Sequence, residues 1–265
     1  MAGKLAALGG EGKHFKSQRV VLAFHAASVR WPGGTIQAMP TAPLTAPHPV
    51  PHPVPPPAAS PASTAALPRL RLRLVLGSTS PYRRDVLQRL RLPFDTDAPR
   101  VDETPRPGET PAALALRLAL EKAHEVASRY PGAVVIGADQ VADLAGQAIG
   151  KPGTHARAVA QLQALRGRRV VFHTAVAVVR ADTGFSKALL APVTVLFRDL
   201  SDAEIDRYLR LEQPYDCAGS AKCETLGIAL LDLIESDDPT ALIGLPLIRT
   251  CALLRQAGID VLGAT

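Results

Sequence analysis

Apolar runs and amphipathic stretches alternate along residues 70–265 in a pattern that predicts a mixed α/β domain. Leu70–Leu76 is an apolar-rich run that ends at Gly77 and predicts a first strand. Ser80 and Pro81 then open a helical pattern to Leu90, with Ser80 as N-cap and Pro81 in the first turn. Thr110-Pro111 begins a longer helix to about Arg129, stopped by Pro131-Gly132. Ala133–Asp139 predicts a buried strand closed by Asp139, and a short hairpin follows across Asp143 to Gly146. Thr154 caps a third helix running to Leu165. Val170–Val179 and Ala188–Phe197 predict a long hairpin around Asp182-Thr-Gly184. Ser201 caps a helix to about Leu211, Ile228–Ile234 forms a further strand, and Leu247–Gln256 is a last helix before Gly258. Strands alternating with helices, with antiparallel hairpins inserted, make this a mixed sheet with flanking helices.

The pattern stops short of residue 70. Residues 1–70 hold twelve of the 24 prolines, six Lys/Arg and one acid, Glu11. Residues 1–69 are therefore expected to be a disordered, proline-rich leader, with the folded domain at 70–265. Met39 is the only methionine after Met1, so the expected natural start lies there, ahead of the alternative that the basic leader is a targeting segment. Val20–Ala27 is too short to span a membrane and is interrupted by His25.

Charge changes the picture less than the overall +6 implies. The leader carries most of it, and residues 71–265 hold 24 basic and 23 acidic side chains. With few, scattered aromatics, that balance argues against nucleic-acid binding. The expectation is a cytoplasmic protein with no membrane partner. Cys217, Cys223 and Cys251 fit buried, reduced thiols. His124, His155 and His173 have no ligand spacing with them, which argues against zinc. Neither GxGxxG nor GxxxxGK[ST] occurs.

Several residues carry candidate chemistry. The loop at Ser78-Thr-Ser80 leads into a helix N-terminus where free N–H groups suit an anion, and Arg83 and Arg84 stand in its first turn. Two arginines there oppose the helix dipole unless an anion is bound. Lys122 falls on an apolar stripe with Leu118, Ala119 and Val126, so it points inward and needs an anionic partner. Glu125 is the nearest such partner in sequence, and snorkelling is the alternative. Lys151 sits in the turn Ile149-Gly-Lys-Pro-Gly153. Asp139 is a candidate base or metal ligand, or a turn cap, and Asp102-Glu103 is an acidic pair in a loop. Cations and acids in this mixture suit a triphosphate with a divalent cation.

The motifs Ser78-Thr-Ser-Pro-Tyr-Arg-Arg84, Val101-Asp-Glu-Thr104, Glu121-Lys-Ala123, Ile136-Gly-Ala-Asp-Gln140, Gly150-Lys-Pro152, Ala218-Gly-Ser220 and Gly244-Leu-Pro-Leu247 occur in an order that resembles the Maf family. These are nucleoside-triphosphate pyrophosphatases historically linked to septum formation, and the resemblance covers about residues 71–260. It implies an elongated α/β fold like that of inosine-triphosphate pyrophosphatases, often dimeric. It implies Asp139 as proton acceptor and Ser78, Arg83, Lys122 and Lys151 as phosphate-binding residues. Glu103 and Asp139 become metal ligands for Mg²⁺, Mn²⁺ or Co²⁺. Tyr82, Gln140 and Glu224 match specificity positions and resemble the branch acting on 7-methyl-GTP, a small-molecule substrate hydrolysed to monophosphate and pyrophosphate. Ala221 and Thr225 depart from that branch, which has an aromatic residue and a glycine there. The alternatives are a dTTP/UTP pyrophosphatase and a non-catalytic nucleotide sensor that inhibits septum formation.

Overall fold

A computed structural model describes residues 72–263 of the chain, so the expectations for the leader, and for Leu70 and Arg71, lie outside the described residues. One mixed sheet organises the remainder. Its strands are β1 (Leu74–Gly77), β2 (Asp95–Asp97), β3 (Val134–Leu144), β4 (Gln147–Ile149), β5 (Arg169–Arg180), β6 (Phe185–Phe197) and β7 (Leu231–Glu235). The order is β2-β1-β3-β5-β6-β7, with β4 paired to the far end of β3. β1 is parallel to both β2 and β3, and all other pairs are antiparallel.

The helices are α1 (Pro81–Gln88), α2 (Pro111–Ala127), α3 (His155–Leu165), α4 (Asp202–Glu212) and α5 (Leu247–Gln256). The starts of α1 to α4 follow from side-chain caps. Ser80, Thr110, Thr154 and Ser201 each accept a backbone N–H in the first turn, and Ser201 forms a full capping box with Glu204. α2 buries Leu114, Leu118 and Val126 against one face of β3 and β5. Leu87 of α1 and Leu253 and Leu254 of α5 fill the other face, with Leu76 and Ile136. A third cluster, built on Phe172, Val193 and Phe197, joins the far ends of β5 and β6 to α3 and α4.

The mixed α/β expectation holds, with local corrections. β3 does not close at Asp139; it runs five residues further, because Asp139 to Asp143 keep pairing with β5. What ends near Asp139 is the parallel ladder: β1 pairs with β3 only as far as Gly77 opposite Gly137. Asp139 thus lies just beyond the carboxyl end of β1, where parallel α/β sheets place ligands. The last strand starts at Leu231 rather than Ile228, because Gly227 donates its N–H back to Lys222 and curls Leu226–Leu230 into a 3₁₀ turn. The hairpin strands extend beyond the expected ends to Arg169–Arg180 and Phe185–Phe197. The short β2 was not foreseen, since Asp95-Thr-Asp97 has no apolar pattern. The three cysteines are free and half-buried rather than buried.

Candidate active site

The centre of the site is set by how closely α2 approaches β3. A Cβ on Gly137 would stand 2.3 Å from the Ala119 carbonyl oxygen and 2.6 Å from the Ala123 nitrogen, so the helix backbone rests directly on the strand at a glycine. Lys122, between those two residues, is thereby aimed at Asp139. Its Nζ donates to Asp139 Oδ1 at 2.7 Å and lies 2.7 Å from Glu103 Oε1. The Lys122 and Asp139 side chains are 6% and 9% exposed, whereas Glu103 is 60% exposed. The partner expected from helix spacing, Glu125, turns outward instead: it pairs with Arg129 and accepts the Arg100 N–H.

Glu103 is carried by an irregular loop, and α2 clamps that loop. Arg117 donates to both oxygens of Glu109, at 2.6 and 2.8 Å, to Glu121 at 2.9 Å and to the Thr104 carbonyl at 3.1 Å. Asp102 accepts the Thr104 N–H and closes the turn around Glu103. Burial works to raise the Glu103 pKa. The Lys122 hydrogen bond and the charges of Lys122, Lys151 and Arg83 outweigh it and hold the carboxyl below the ordinary glutamate value. Exposed Lys151 is therefore part of the same electrostatic group.

The turn before α1 supplies the third side. Ser78 Oγ accepts from the Ser80 N–H at 3.2 Å and from Arg83 Nη1 at 3.4 Å. Arg83 Nε donates to the Gly244 carbonyl at 3.1 Å. Burial lowers the Arg83 guanidinium from the ordinary arginine value, and the charges of Asp139 and Glu103 oppose that. Arg84 points away and pairs with Asp85 at the exposed surface. The Gly244 turn is itself anchored. Gln140 Nε2 donates to Thr174 Oγ1 and to the carbonyls of Ala241 and Leu242. Fully buried Asp238 accepts from Thr240 and from the Arg249 N–H in the first turn of α5.

The remaining expected residues lie around a loop after α4. The Tyr82 hydroxyl donates to Asp216 at 3.3 Å, and Lys222 Nζ stands 5.3 Å from the Tyr82 ring centroid while pairing with Glu212 at 3.0 Å. Burial, with the charges of Cys217 and Asp216, raises the Tyr82 hydroxyl above the ordinary tyrosine value. Exposed Glu224 accepts from Cys223 Sγ at 3.7 Å and adds its charge to the surroundings of Cys217 and Lys222. Burial pushes the Cys217 and Cys223 thiols up to about 12, which favours the protonated form.

Ser78, Arg83, Glu103, Lys122, Asp139 and Lys151 are thus brought into one electrostatic group, and Gln140 braces it. Tyr82 and Glu224 belong to a second group linked through Cys217 and Lys222. Sequence reasoning missed Arg117 and Glu109, and it missed Gln161. The Gln161 amide accepts from buried Ser220 at 2.6 Å and donates to the Gly150 carbonyl at 3.0 Å, tying the Lys151 turn to the Ala218–Ser220 turn. Arg117 had a signal, an i,i+4 charge pair with Glu121 on α2; Gln161 had none. Among the described residues no group of three or more His, Cys, Asp or Glu could hold a metal. Glu103 and Asp139, drawn to one ammonium, have the donor chemistry of a hard divalent cation that keeps water and phosphate as its other ligands.

A family model described as Maf-like protein matches residues 73–257. The chain is 66% identical over 192 residues to a 7-methyl-GTP pyrophosphatase of Albidiferax ferrireducens, covering 72% of this chain and 96% of the relative. It is 68% identical over 186 residues to one from a Polaromonas species, covering 70% and 85%. A third, from Cupriavidus metallidurans, is 59% identical over 191 residues, covering 72% and 96%.

Proposed function

The chain belongs to the Maf-like family, and on that premise we propose that it hydrolyses 7-methyl-GTP to 7-methyl-GMP and pyrophosphate, with the site residues acting as follows. The observation that carries the chemistry is Lys122 between Asp139 and Glu103, with the charge of Arg83 acting on both acids and that of Lys151 on Glu103.

Asp139 accepts a proton from water as the water oxygen attacks the α-phosphorus. The bond from that phosphorus to the bridging oxygen breaks, and pyrophosphate leaves with the bonding pair. Ser78, Arg83, Lys122 and Lys151 bind phosphate oxygens and offset the charge gathering on the leaving group. A divalent cation, Mg²⁺, Mn²⁺ or Co²⁺, held by Glu103 and Asp139, supplies Lewis-acid polarisation and charge neutralisation when bound. The base is read by Tyr82, Gln140 and Glu224. N7-methylation makes guanine cationic, so an aromatic face and a carboxylate suit it better than an arginine. The Glu224 carboxylate can accept both N1–H and N2–H of a guanine edge, where uracil offers one N–H. Among the described residues no helix is long and apolar enough to cross a membrane. Three free cysteines fit a reducing cytoplasm.

The test is product release by the purified chain from 7-methyl-GTP, GTP, UTP and dTTP with each cation. Pyrophosphate and 7-methyl-GMP, with little product from UTP, is the expected result. Preference for UTP or dTTP would keep the reaction and overturn the base assignment, and no turnover by folded protein would overturn the reaction.

A further inference from the structure

Lys151 is exposed and acts on Glu103 through charge, and among the described residues no hydrogen bond or ion pair holds its ammonium. The backbone of its turn therefore sets where that charge stands. Both polar backbone groups that flank Lys151-Pro152 are engaged by one distant segment. The Gly150 carbonyl accepts from Gln161 Nε2 at 3.0 Å, and Gln161 Oε1 accepts from Ser220 Oγ at 2.6 Å. The Gly153 N–H donates to the Tyr215 carbonyl at 3.0 Å. Tyr215 and Ser220 bound the segment that carries Asp216, the acceptor of the Tyr82 hydroxyl, and the chain leads from there to Lys222 and Glu224. The Ser220 end is tightly set. Ser220 is fully buried at φ 55°, a conformation that serine rarely adopts, and a Cβ on neighbouring Gly219 would stand 3.3 Å from the Phe172 ring.

We infer that Gln161 is a positioning residue that joins the Lys151 turn to the base-reading segment, so that seating the base places Lys151 on the phosphates. The inference rests on the pyrophosphatase reading of the site. Gln161 suits the task because its amide presents a donor to one turn and an acceptor to the other from a single planar group. α3, capped by Thr154, supplies the support, and it begins two residues after Gly153. His155, the first residue of α3, adds a second link, with Nδ1 3.0 Å from the Tyr215 hydroxyl. A base that fits restrains residues 215–220, and the bridge passes that restraint to the Lys151 turn. A base that fits badly leaves the lysine loose. Base choice then registers in the chemical step, where Lys151 offsets charge on the leaving group, and not in binding alone.

The experiment measures amide hydrogen exchange of the full chain with and without 7-methylguanosine. This nucleoside carries no phosphate, so slowed exchange in the Lys151 turn reports the link and not a phosphate contact. In the wild type, exchange is expected to slow at least about threefold in both 215–224 and 150–154. Gln161→Met keeps length and removes both hydrogen bonds; it is expected to retain the first protection and lose the second. Its kcat on 7-methyl-GTP is expected to fall about tenfold with KM within about twofold, the split expected of a contact made in the transition state. In a Lys151→Ala background the same substitution should change kcat less than about twofold, because it acts through that lysine. Wild-type protection confined to 215–224 would overturn the inference, and so would losses from Gln161→Met and Lys151→Ala that simply multiply. If Gln161→Met does not fold, Ser220→Ala cuts the bridge from its other end and carries the same expectations. Absent protection in both segments would overturn the base assignment and the inference with it. Protection in both without turnover of 7-methyl-GTP would overturn the reaction and support the link.

Discussion

The two ends of the site are built differently. At the proposed phosphate end, Lys122 and Asp139 stand on α2 and β3, two elements in backbone contact at Gly137, and their side chains are nearly closed to solvent. At the proposed base end, Tyr82 reaches across to Asp216, while Lys222 and Glu224 sit in a loop whose acids are largely exposed. The first arrangement leaves its side chains little freedom, as in-line attack on phosphorus would require. The second leaves its acids open to solvent. This chain has Ala221 and Thr225 in that loop.

The sharpest test of this contrast is Asp139→Asn. It removes the proposed proton acceptor and one proposed metal ligand while preserving shape. The expected loss in kcat is about 10²–10⁴-fold, measured by pyrophosphate release from protein with an unchanged far-UV spectrum. A loss below tenfold would place the base elsewhere.

Gly137→Ala tests whether the rigid end depends on backbone contact. The added methyl meets Ala119 and Ala123 backbone atoms, so α2 must lift and carry Lys122 away from Asp139. We expect a destabilisation of about 1–3 kcal/mol in urea unfolding, together with about a hundredfold lower kcat for a 1 Å displacement. A stability loss with full kcat would mean that Lys122 needs no such precision.

This same contact explains what the sequence could and could not tell. Lys122 was legible because its neighbours at i−4, i−3 and i+4 are apolar, and the caps at Ser80, Thr110, Thr154 and Ser201 were legible because capping is local. Its partners were not legible. Glu103 lies 19 residues before it and Asp139 lies 17 after, and the packing of α2 on β3, with the loop that Arg117 clamps, decides that they meet. Asp139 looked like a strand end because the apolar run stops there, yet β5 continues the pairing to Asp143. Arg117, Glu109 and Gln161 hold loops rather than substrate, and Gln161 bonds to Ser220 across 59 residues. No spacing rule reaches that far.

At the base end, Glu224→Gln keeps size and removes charge. Activity on 7-methyl-GTP is expected to fall about tenfold or more relative to UTP, since base binding covers the carboxylate and an acceptor then mismatched to its donors loses on the order of 1–3 kcal/mol. An equal fall on both substrates would remove Glu224 from base reading.

The loop that carries Glu103 is held to α2 by charge, and acid tests that hold. Arg117 hydrogen bonds, with the Arg106 N–H, hold the Glu109 carboxyl down at about 2, against opposing desolvation. A carboxyl lowered in the folded state stabilises above its unfolded pKa of about 4.5 and loses that contribution as pH falls towards about 2. Wild type should therefore exceed Glu109→Gln in urea resistance at pH 7, and the difference should shrink between pH 4.5 and pH 2. A difference independent of pH would mean that Glu109 contributes packing rather than charge.

Tyr82→Phe should have the smallest effect. The ring that faces Lys222 remains, and what is lost is a hydroxyl donating to Asp216 at 3.3 and 3.5 Å, long for an O–H donor. Asp216 is exposed, so water replaces the hydroxyl at little cost. We expect kcat/KM for 7-methyl-GTP to stay within about threefold of wild type, as an exposed polar contact allows. Tyr82→Leu, which removes the aromatic face, should cost more on 7-methyl-GTP than on GTP, because only the methylated base is a cation. If phenylalanine and leucine lose equally, the hydroxyl and its link to Asp216 read the base rather than the ring. The exposed end of the site would then be as finely positioned as the buried one, and the contrast between them would fail.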